Sequence, residues 1–273
     1  MNFDITQFRS SNPVNATEAH RDVSAKYAFI STTDILQKFA DAGWRVVREQ
    51  SAHTRKADRV GFQKHLITLE HADYQSMPGL DGNGASKPQL LVINSHDRAS
   101  SLRILWGMYR MACANGIIAG TTMAEIRMRH SAQTLSRLPE AIAAQLANLP
   151  AMQQQVQALA SKQLTATATQ RLIKTVYDAR LASVRNLGMV NYSLPRLRRY
   201  EDQGNDAWTV FNRVQEVAMR GGIGYLYQRE RKGTDGKVLY STLSAGTSRA
   251  LRGIDEQTRI NRLAYDTALE LVA

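Results

Sequence analysis

Two segments in the C-terminal half of the sequence combine arginine with tyrosine. In the first, Arg196, Arg198 and Arg199 lie between two tyrosines, and in the second, two tyrosines precede Arg229 and Arg231 at alternate positions. Guanidinium groups hold phosphates, and tyrosine rings offer planes on which bases can stack. This combination is typical of surfaces that bind single-stranded nucleic acid without reading its sequence.

Further cations flank the predicted elements and complete the set of candidate nucleic-acid-binding residues. They are Arg45, Arg48, Arg55, Lys56, Arg103, Arg110, Arg127, Arg129 and Lys232. Arg127 and Arg129 are two residues apart on a predicted strand and therefore share a face. Arg103 and Arg110 are seven residues apart on a predicted helix, a spacing that also brings them to one face.

The charge balance of the whole chain favours a polyanionic partner. The sequence holds 35 Lys+Arg against 24 Asp+Glu, a formal net charge of +11. Nucleic acid is the first candidate partner and an anionic membrane surface the second. Because no stretch combines a lysine-rich face with an apolar face, nucleic acid is favoured over a membrane. The apolar share of 43% excludes a wholly disordered chain.

Acidic residues and histidines suggest a second kind of chemistry. The candidates for a metal-dependent nuclease are Asp58, Glu70, Asp73, His96 and Asp97. Such an enzyme needs carboxylates that converge from different strands on a metal ion. The alternative interpretation of Ser95-His96-Asp97 is a turn that caps the next helix.

Other chemistries find no support in the sequence. It contains no glycine-rich phosphate loop and none of the common hydrolase or metalloprotease signatures. Cys113 is the single cysteine, which excludes an internal disulfide and a cysteine-based zinc cluster. The sequence therefore predicts no cofactor and no resident metal, and it favours a binding protein over an enzyme.

Apolar spacing and turn residues predict the elements of the first half. Residues 1–28 are polar and are expected to form an extended arm. A helix capped by Thr32 or Thr33 should end at Gly43, and strands are expected over 44–49, 59–71 and 89–94. A helix over 100–114 and strands near 117 and over 125–130 follow. Three antiparallel strands backed by a helix make an α+β layer.

The second half is predicted to be mostly helical. An amphipathic helix over 138–159 must be kinked or divided at Pro150. Helices are also expected after Thr165 or Thr167, over 206–220 and over 254–271, with a β-hairpin turning at 234–236. We expect an arm over 1–30, a sheet core over 31–135 and a helical part over 136–273 that packs on the core as one unit.

Three motifs resemble a known family. They are Asn94-Ser95-His96-Asp97 with the Leu102–Ala114 and Asn115-Gly116 segment, Trp208–Glu216 with Arg220-Gly221-Gly222, and Arg252–Ala264. Together with 34–44, they resemble the phage/plasmid-like protein family, a domain of unknown function numbered 932. The resemblance implies a bacteriophage or plasmid context. It implies no activity, so no residue inherits a catalytic role from it.

The element order also resembles single-strand annealing proteins, in which three antiparallel strands precede a long helix and rings of subunits hold DNA in a basic groove. The sequence thus predicts a non-catalytic protein that binds single-stranded DNA and anneals strands as an oligomer. The alternatives are a metal-dependent nuclease and a phage or plasmid factor that binds a host protein. No apolar run reaches the roughly 18 residues of a membrane span, and the N-terminus lacks a signal-peptide pattern. A cytoplasmic location in a bacterial host is therefore expected.

Overall fold

The structure is a computed structural model that describes residues 12–71, 73, 87–111, 118–147, 149–198 and 200–273. These residues form two compact units. One holds the described parts of Met1–Arg110 and Thr121–Gln154, and the other holds the described parts of Met111–Gly120 and Gln155–Ala273. The mixed α+β class is confirmed, since each unit contains both helices and a sheet.

The first unit is built on a five-stranded sheet whose spatial order follows the sequence. Its strands are β1 Trp44–Ser51, β2 His65–His71, β3 Lys87–Asn94, β4 Leu102–Met111 and β5 Ile118–Met128. The pairs β1–β2, β2–β3 and β3–β4 are antiparallel, which confirms the antiparallel arrangement expected for the first three strands. The predicted turn residues 77–86 lie outside the described residues.

The helix predicted over 100–114 is wrong, because Leu102–Met111 forms strand β4. Leu102, Ile104 and Trp106 are fully buried at alternate positions, and Leu105 between them is also fully buried. A run that is apolar on both faces fits helical and strand spacing equally well, so pairing with β3 decides the outcome. The element order of the annealing proteins is therefore not present. The two strands predicted near 117 and over 125–130 are one strand, β5.

Helices cover one face of this sheet, as predicted, although they are not the segment expected to do so. Helix α1 spans Thr32–Asp41 and begins after Ser31, whose hydroxyl accepts a hydrogen bond from the Asp34 amide at 3.3 Å. Helices α2, Thr134–Leu146, and α3, Leu149–Ser161, replace the single predicted helix and divide it beside Pro150. The core combines these helices with the sheet through Ile35, Phe39, Ile67, Leu90, Trp106, Leu138 and Ile142.

The segment before α1 lies against the same unit. Residues Pro13–Asn15 form a short 3-10 helix, and the side chains of Val14, His20 and Ile30 are buried. The His20 amide donates to the His96 carbonyl at 2.8 Å, and the Ala28 amide donates to the His130 carbonyl at 3.2 Å. The part of the predicted arm over 1–11 lies outside the described residues.

The second unit pairs a three-helix cluster with a three-stranded sheet. Its helices are α4 Ala166–Leu181, α5 Ala207–Arg220 and α6 Ile254–Glu270, and its strands are β6 Leu187–Val190, β7 Gly224–Lys232 and β8 Val238–Thr247. Thr165 caps α4 and Asp206 caps α5 through their side-chain oxygens. The predicted helices and hairpin are confirmed, while the short strand β6 is an addition. Within the described part of the chain, no helix has the length and apolar character needed to cross a membrane.

Candidate nucleic-acid interface

One face of the β7–β8 hairpin carries the second arginine–tyrosine segment. Tyr225, Tyr227, Arg229 and Arg231 alternate along β7, opposite Gly246, Ser244, Thr242 and Tyr240 of β8. Because side chains at alternate strand positions point to the same side, these four residues and Tyr240 share one surface. We call this surface the tyrosine–arginine face.

A glycine on the neighbouring strand sets the position of the first ring. A Cβ atom at Gly246 would lie only 2.5 Å from Cε2 of Tyr225, so the ring rests directly over the glycine backbone. The rings of Tyr225 and Tyr227 follow each other with centroids 5.9 Å apart at an angle of 55°. Both side chains are half-buried, and the hairpin therefore presents a row of two partly exposed aromatic rings.

Cations extend this row. The Arg231 guanidinium lies 5.8 Å from the Tyr240 ring centroid and donates to the Tyr240 hydroxyl at 3.0 Å. Arg229 is exposed and borders, with Arg185 and the two half-buried tyrosines, a shallow cavity of about 470 Å³ that Glu230 also lines. Neither Arg185 nor Arg229 forms an ion pair within the described residues. The side chain of Lys232 lies outside the described set.

The first arginine–tyrosine segment borders another cavity of the same unit. The exposed Arg196 and Arg198 line a space of about 360 Å³ together with Tyr177 and the backbone of Gly221 to Gly224. The described lining residues include no carboxylate, and Gly224 is the first residue of β7. This cavity therefore reaches the strand that carries the tyrosine–arginine face. Arg199 lies outside the described residues.

Several predicted arginines of the first unit are engaged by carboxylates. Arg103 and Arg127 both donate to Glu125, at 2.6 and 2.8 Å, and Arg45 lies 3.5 Å from Glu70. Burial acts to raise the pKa of Glu125, but hydrogen bonds from Arg127 and Arg103 outweigh it and hold that pKa below its usual value. These arginines are therefore less available to phosphates than the sequence suggested.

The remaining cations of the first unit differ in exposure. Arg55, Lys56 and Arg129 are exposed, while Arg48 is half-buried. The side chain of Arg110 lies outside the described set. Because residues 103 and 110 are on strand β4, the helical spacing expected to place them on one face does not apply. The first unit thus contributes scattered cations to the predicted set.

The five nuclease candidates do not meet. The Glu70 carboxylate accepts from Gln89 at 2.7 Å, and Asp73 lies 3.7 Å from His71 at the last residue of β2. His96 and Asp97 follow β3, whose end at Asn94 pairs with the first residue of β2, His65. Glu70 and Asp73 therefore lie at the end of β2, and His96 and Asp97 lie near its first residue. The length of this seven-residue strand, roughly 20 Å, separates the two pairs.

Asp58 belongs to a different cluster, which sequence reasoning missed. One ligand atom each from His20, Asp22 and Asp58 lies within 4.8 Å of the others, a spacing that could hold a metal ion. Arg59 is 3.4 Å from Asp22, however, and Arg21 is 3.9 Å from Asp58. Because these guanidinium groups neutralise the carboxylates, the cluster fits an ion-pair network better than a cation site. His20 and Asp22 fall in the region read as an arm, so no signal pointed to them.

A buried histidine network joins the sheet to α1, and we define it as Thr32, His65, Asn94, His96 and His130. The Thr32 hydroxyl lies 2.8 Å from His65 Nε2, 3.2 Å from His96 Nε2 and 2.9 Å from Asn94 Nδ2. His130 Nε2 lies 2.8 Å from Asn94 Oδ1. All five side chains are at least nine-tenths buried. The network therefore ties four distant chain segments together inside the first unit.

Hydrogen-bond geometry and burial set the charge of this network. His65 Nδ1 lies 3.0 Å from the Gln63 carbonyl and must donate to it, so Nε2 accepts from Thr32 when the ring is neutral. Asn94 Nδ2 donates to Thr32, and its Oδ1 therefore accepts from His130. Burial lowers the pKa of His65 and of His130 to about 4 and that of His96 to about 3. The three rings are neutral near pH 7, which suits a structural network. His96, a nuclease candidate, is one of its members.

The fold defines a class of protein that combines a meander sheet covered by helices with a second α+β unit. The family profile described as a domain of unknown function, DUF932, matches residues 19–263. The chain therefore belongs to this family, as the motifs around Asn94 and Trp208 indicated.

Two relatives are similar over nearly the whole chain. They are UPF0380 protein YafZ and UPF0380 protein YfjQ, both of Escherichia coli (strain K12). Each is 26% identical over 265 residues, which cover 97% of this chain and 89% of the relative. No solved structure matches the chain significantly.

Proposed function

We propose that this protein binds single-stranded nucleic acid, DNA in the first place, through the tyrosine–arginine face. The observation that carries the proposal is the row formed by Tyr225, Tyr227 and Arg229 on one face of β7. Base stacking on an aromatic side chain contributes about 1–3 kcal/mol per base and tolerates any sequence. Two adjacent half-buried rings followed by an exposed guanidinium suit two successive bases and a phosphate.

The surrounding charge supports the same proposal. Arg185 borders the cavity beside the rings, and Arg196 and Arg198 line the carboxylate-free cavity at the start of β7. A strand that runs along β7 would meet cations at both ends of the aromatic row. Together with the net charge of +11, this arrangement favours binding that weakens steeply as salt displaces the protein from phosphates.

The proposed activity is binding without catalysis. Annealing of complementary strands by an oligomer is its extension, since bases held by stacking keep their pairing edges accessible. The element order expected from annealing proteins no longer supports this extension, so it depends on the tyrosine–arginine face alone. We place the activity in the bacterial cytoplasm, in the mobile-element context that the family resemblance implies.

Fluorescence anisotropy tests the proposal directly. A labelled oligothymidylate and a labelled duplex of equal length are titrated with the protein at about 50 and 200 mM salt. We expect tighter binding of the single strand, and weaker binding of both probes at the higher salt concentration. Absence of binding to either probe at low salt contradicts the proposal. Incubation of the same samples with Mg²⁺ and with a chelator reveals cleavage if the protein is instead a nuclease.

Matched variants locate the interface. Tyr225→Leu and Tyr227→Leu remove a stacking plane at similar volume, and each should weaken single-strand binding about tenfold. Tyr227→Phe keeps the ring and should retain binding. Arg229→Ala should lower the slope of log affinity against log salt by about one. Arg171→Ala removes an exposed arginine that is paired with Glu270 in the same unit, and it should leave that slope nearly unchanged.

A further inference from the structure

A cationic depression in the first unit shares no residue with the tyrosine–arginine face. It has a volume of about 260 Å³ and is lined by Ser24, Lys26, Tyr27, Arg98, Ser100, Ser101, Arg129 and His130. We call it the Arg98 pocket. Lys26, Arg98 and Arg129 are exposed, so three positive charges and three serine hydroxyls border one small space.

Among the described residues, no carboxylate lines this pocket. Lys26, Arg98 and Arg129 form no ion pair with any carboxylate in the described part of the chain. Asp97 precedes Arg98, but its carboxylate binds Arg59 at 3.3 Å and accepts from the Ala99 amide at 3.0 Å. The positive charge of the pocket is therefore not neutralised by the lining.

The backbone holds Arg98 in an unfavourable conformation. Its φ angle is 61°, in the left-handed region that favours glycine and disfavours any residue with a Cβ atom. The loop is held there by Ser95, whose hydroxyl accepts from the Ser100 amide at 2.8 Å, and by the bond from the Ala99 amide to Asp97. Residues in strained conformations cluster at ligand-binding sites. Glycine would be less strained at this position, so the stability of the loop does not explain why an arginine occupies it.

A stacked pair of aromatic rings, Tyr27 and His130, lines part of the pocket. The Tyr27 ring stacks on His130 with centroids 4.6 Å apart and an angle of 17°, and the Tyr27 hydroxyl donates to the Ser95 carbonyl at 3.0 Å. His130 is in turn held by Asn94 in the buried histidine network. Through this connection, the loop that carries Arg98 has a fixed position relative to the sheet.

We propose that the Arg98 pocket binds the dianionic phosphate group of a phosphomonoester. Two guanidinium groups and an ammonium group supply charge-assisted hydrogen bonds to phosphate oxygens, and the hydroxyls of Ser24 and Ser101 can donate to the remaining lone pairs, whereas that of Ser100 donates to the Ser101 carbonyl at 2.8 Å. Three cations without an acid match a doubly charged group better than the single charge of a backbone phosphodiester. A mononucleotide and the phosphorylated end of a nucleic acid strand both offer this group.

Inorganic phosphate is the first probe. Thermal unfolding of the full chain is followed in phosphate and in chloride at equal ionic strength, and affinity is measured by calorimetric titration. We expect phosphate to raise the midpoint of wild-type unfolding relative to chloride. Arg98→Gly should bind phosphate at least tenfold more weakly, although its unfolding midpoint without phosphate should equal or exceed that of the wild type.

A control and two outcomes complete this test. Arg137→Ala removes an exposed arginine on α2 of the same unit, outside the pocket and outside the predicted set, and it should bind phosphate like the wild type. Equal unfolding midpoints in phosphate and chloride for the wild type overturn the proposal. An unchanged phosphate affinity of Arg98→Gly overturns it as well, because the pocket would then not be the site.

The source of the phosphate is identified with two further probes. Adenosine monophosphate is compared with an oligonucleotide that carries either a 5′-phosphate or a 5′-hydroxyl. Displacement of inorganic phosphate by the mononucleotide alone indicates a nucleotide site, and a preference for the phosphorylated strand indicates strand-end binding. Tyr225→Leu should keep its phosphate affinity, and Arg98→Gly should keep its affinity for the 5′-hydroxyl strand. The two proposals can therefore fail independently.

Discussion

The hydroxyl of Thr32 lies 2.8 Å from Nε2 of His65, although 33 residues separate the two in the sequence. The same oxygen accepts a hydrogen bond from Asn94 Nδ2 at 2.9 Å. One buried hydroxyl at the start of α1 therefore connects this helix to β2 and to the end of β3. The stability of the first unit should depend on it strongly.

Thr32→Val is expected to destabilise the protein by about 2–4 kcal/mol. The variant keeps the shape of the side chain but leaves buried groups of His65 and Asn94 without their partner, and each unsatisfied group costs about 1–3 kcal/mol. Urea denaturation measures the change. Thr68→Val is the matched control, because the Thr68 hydroxyl is also buried but has no hydrogen-bond partner in the described structure. It should be neutral or stabilising.

Acid should destabilise the first unit through its neutral histidines. Burial lowers the pKa of His65, His96 and His130 from the usual 6.5 to about 4, 3 and 4. As the pH falls from 6.5 towards 4, the unfolded chain binds protons that the folded chain does not. Stability is therefore fully present well above pH 6.5, and it should fall by roughly 5–6 kcal/mol between pH 7 and 5.

Urea midpoints across this pH range check the effect. His130→Gln can still donate to Asn94 while removing one titrating ring, so the loss of stability between pH 7 and 5 should be about one-third smaller. The matched control is His53→Gln at an exposed position outside the buried histidine network, and it should show the wild-type dependence. A flat profile of the wild type over this range would falsify the assignment of three buried neutral histidines.

Arg103→Ala should affect stability and leave nucleic acid binding unchanged. The Arg103 and Glu125 side chains are 11% and 10% exposed and lie 2.6 Å apart, so their ion pair is largely removed from water. Loss of a charged hydrogen bond at such a site costs about 1–3 kcal/mol. Anisotropy and urea denaturation measured together separate the two effects. Weaker oligonucleotide binding by a fully folded Arg103→Ala would contradict this assignment.

Gly246→Val should displace the Tyr225 ring. The new Cβ would lie 2.5 Å from Cε2 of Tyr225, so the ring must move off the face that it now shares with Tyr227. Single-strand affinity should fall about tenfold, similar to the loss of one stacking plane. Ala245→Val adds bulk to the adjacent, exposed position on the opposite face. It should bind like the wild type, since valine is well accommodated in a strand.

Locally encoded features were predictable from the sequence. The helix starts near Thr165 and residue 206, the hairpin turn at 234–236 and the interruption beside Pro150 depend on neighbouring residues, and the structure contains them. The alternation of Tyr225, Tyr227, Arg229 and Arg231 also required only the period of a strand. For this reason the tyrosine–arginine face could be proposed before the structure was known.

The sequence alone determined the positive charge, the family motifs and the helices and strands whose signals are local. Only the tertiary structure decided that Leu102–Met111 pairs with β3 as a strand, because its apolar run suits both periodicities. Tertiary structure also decided which arginines remain available, since Arg103 meets Glu125 across 22 residues of sequence. Such pairings depend on which strands become neighbours, and residue spacing along the chain carries no record of that choice.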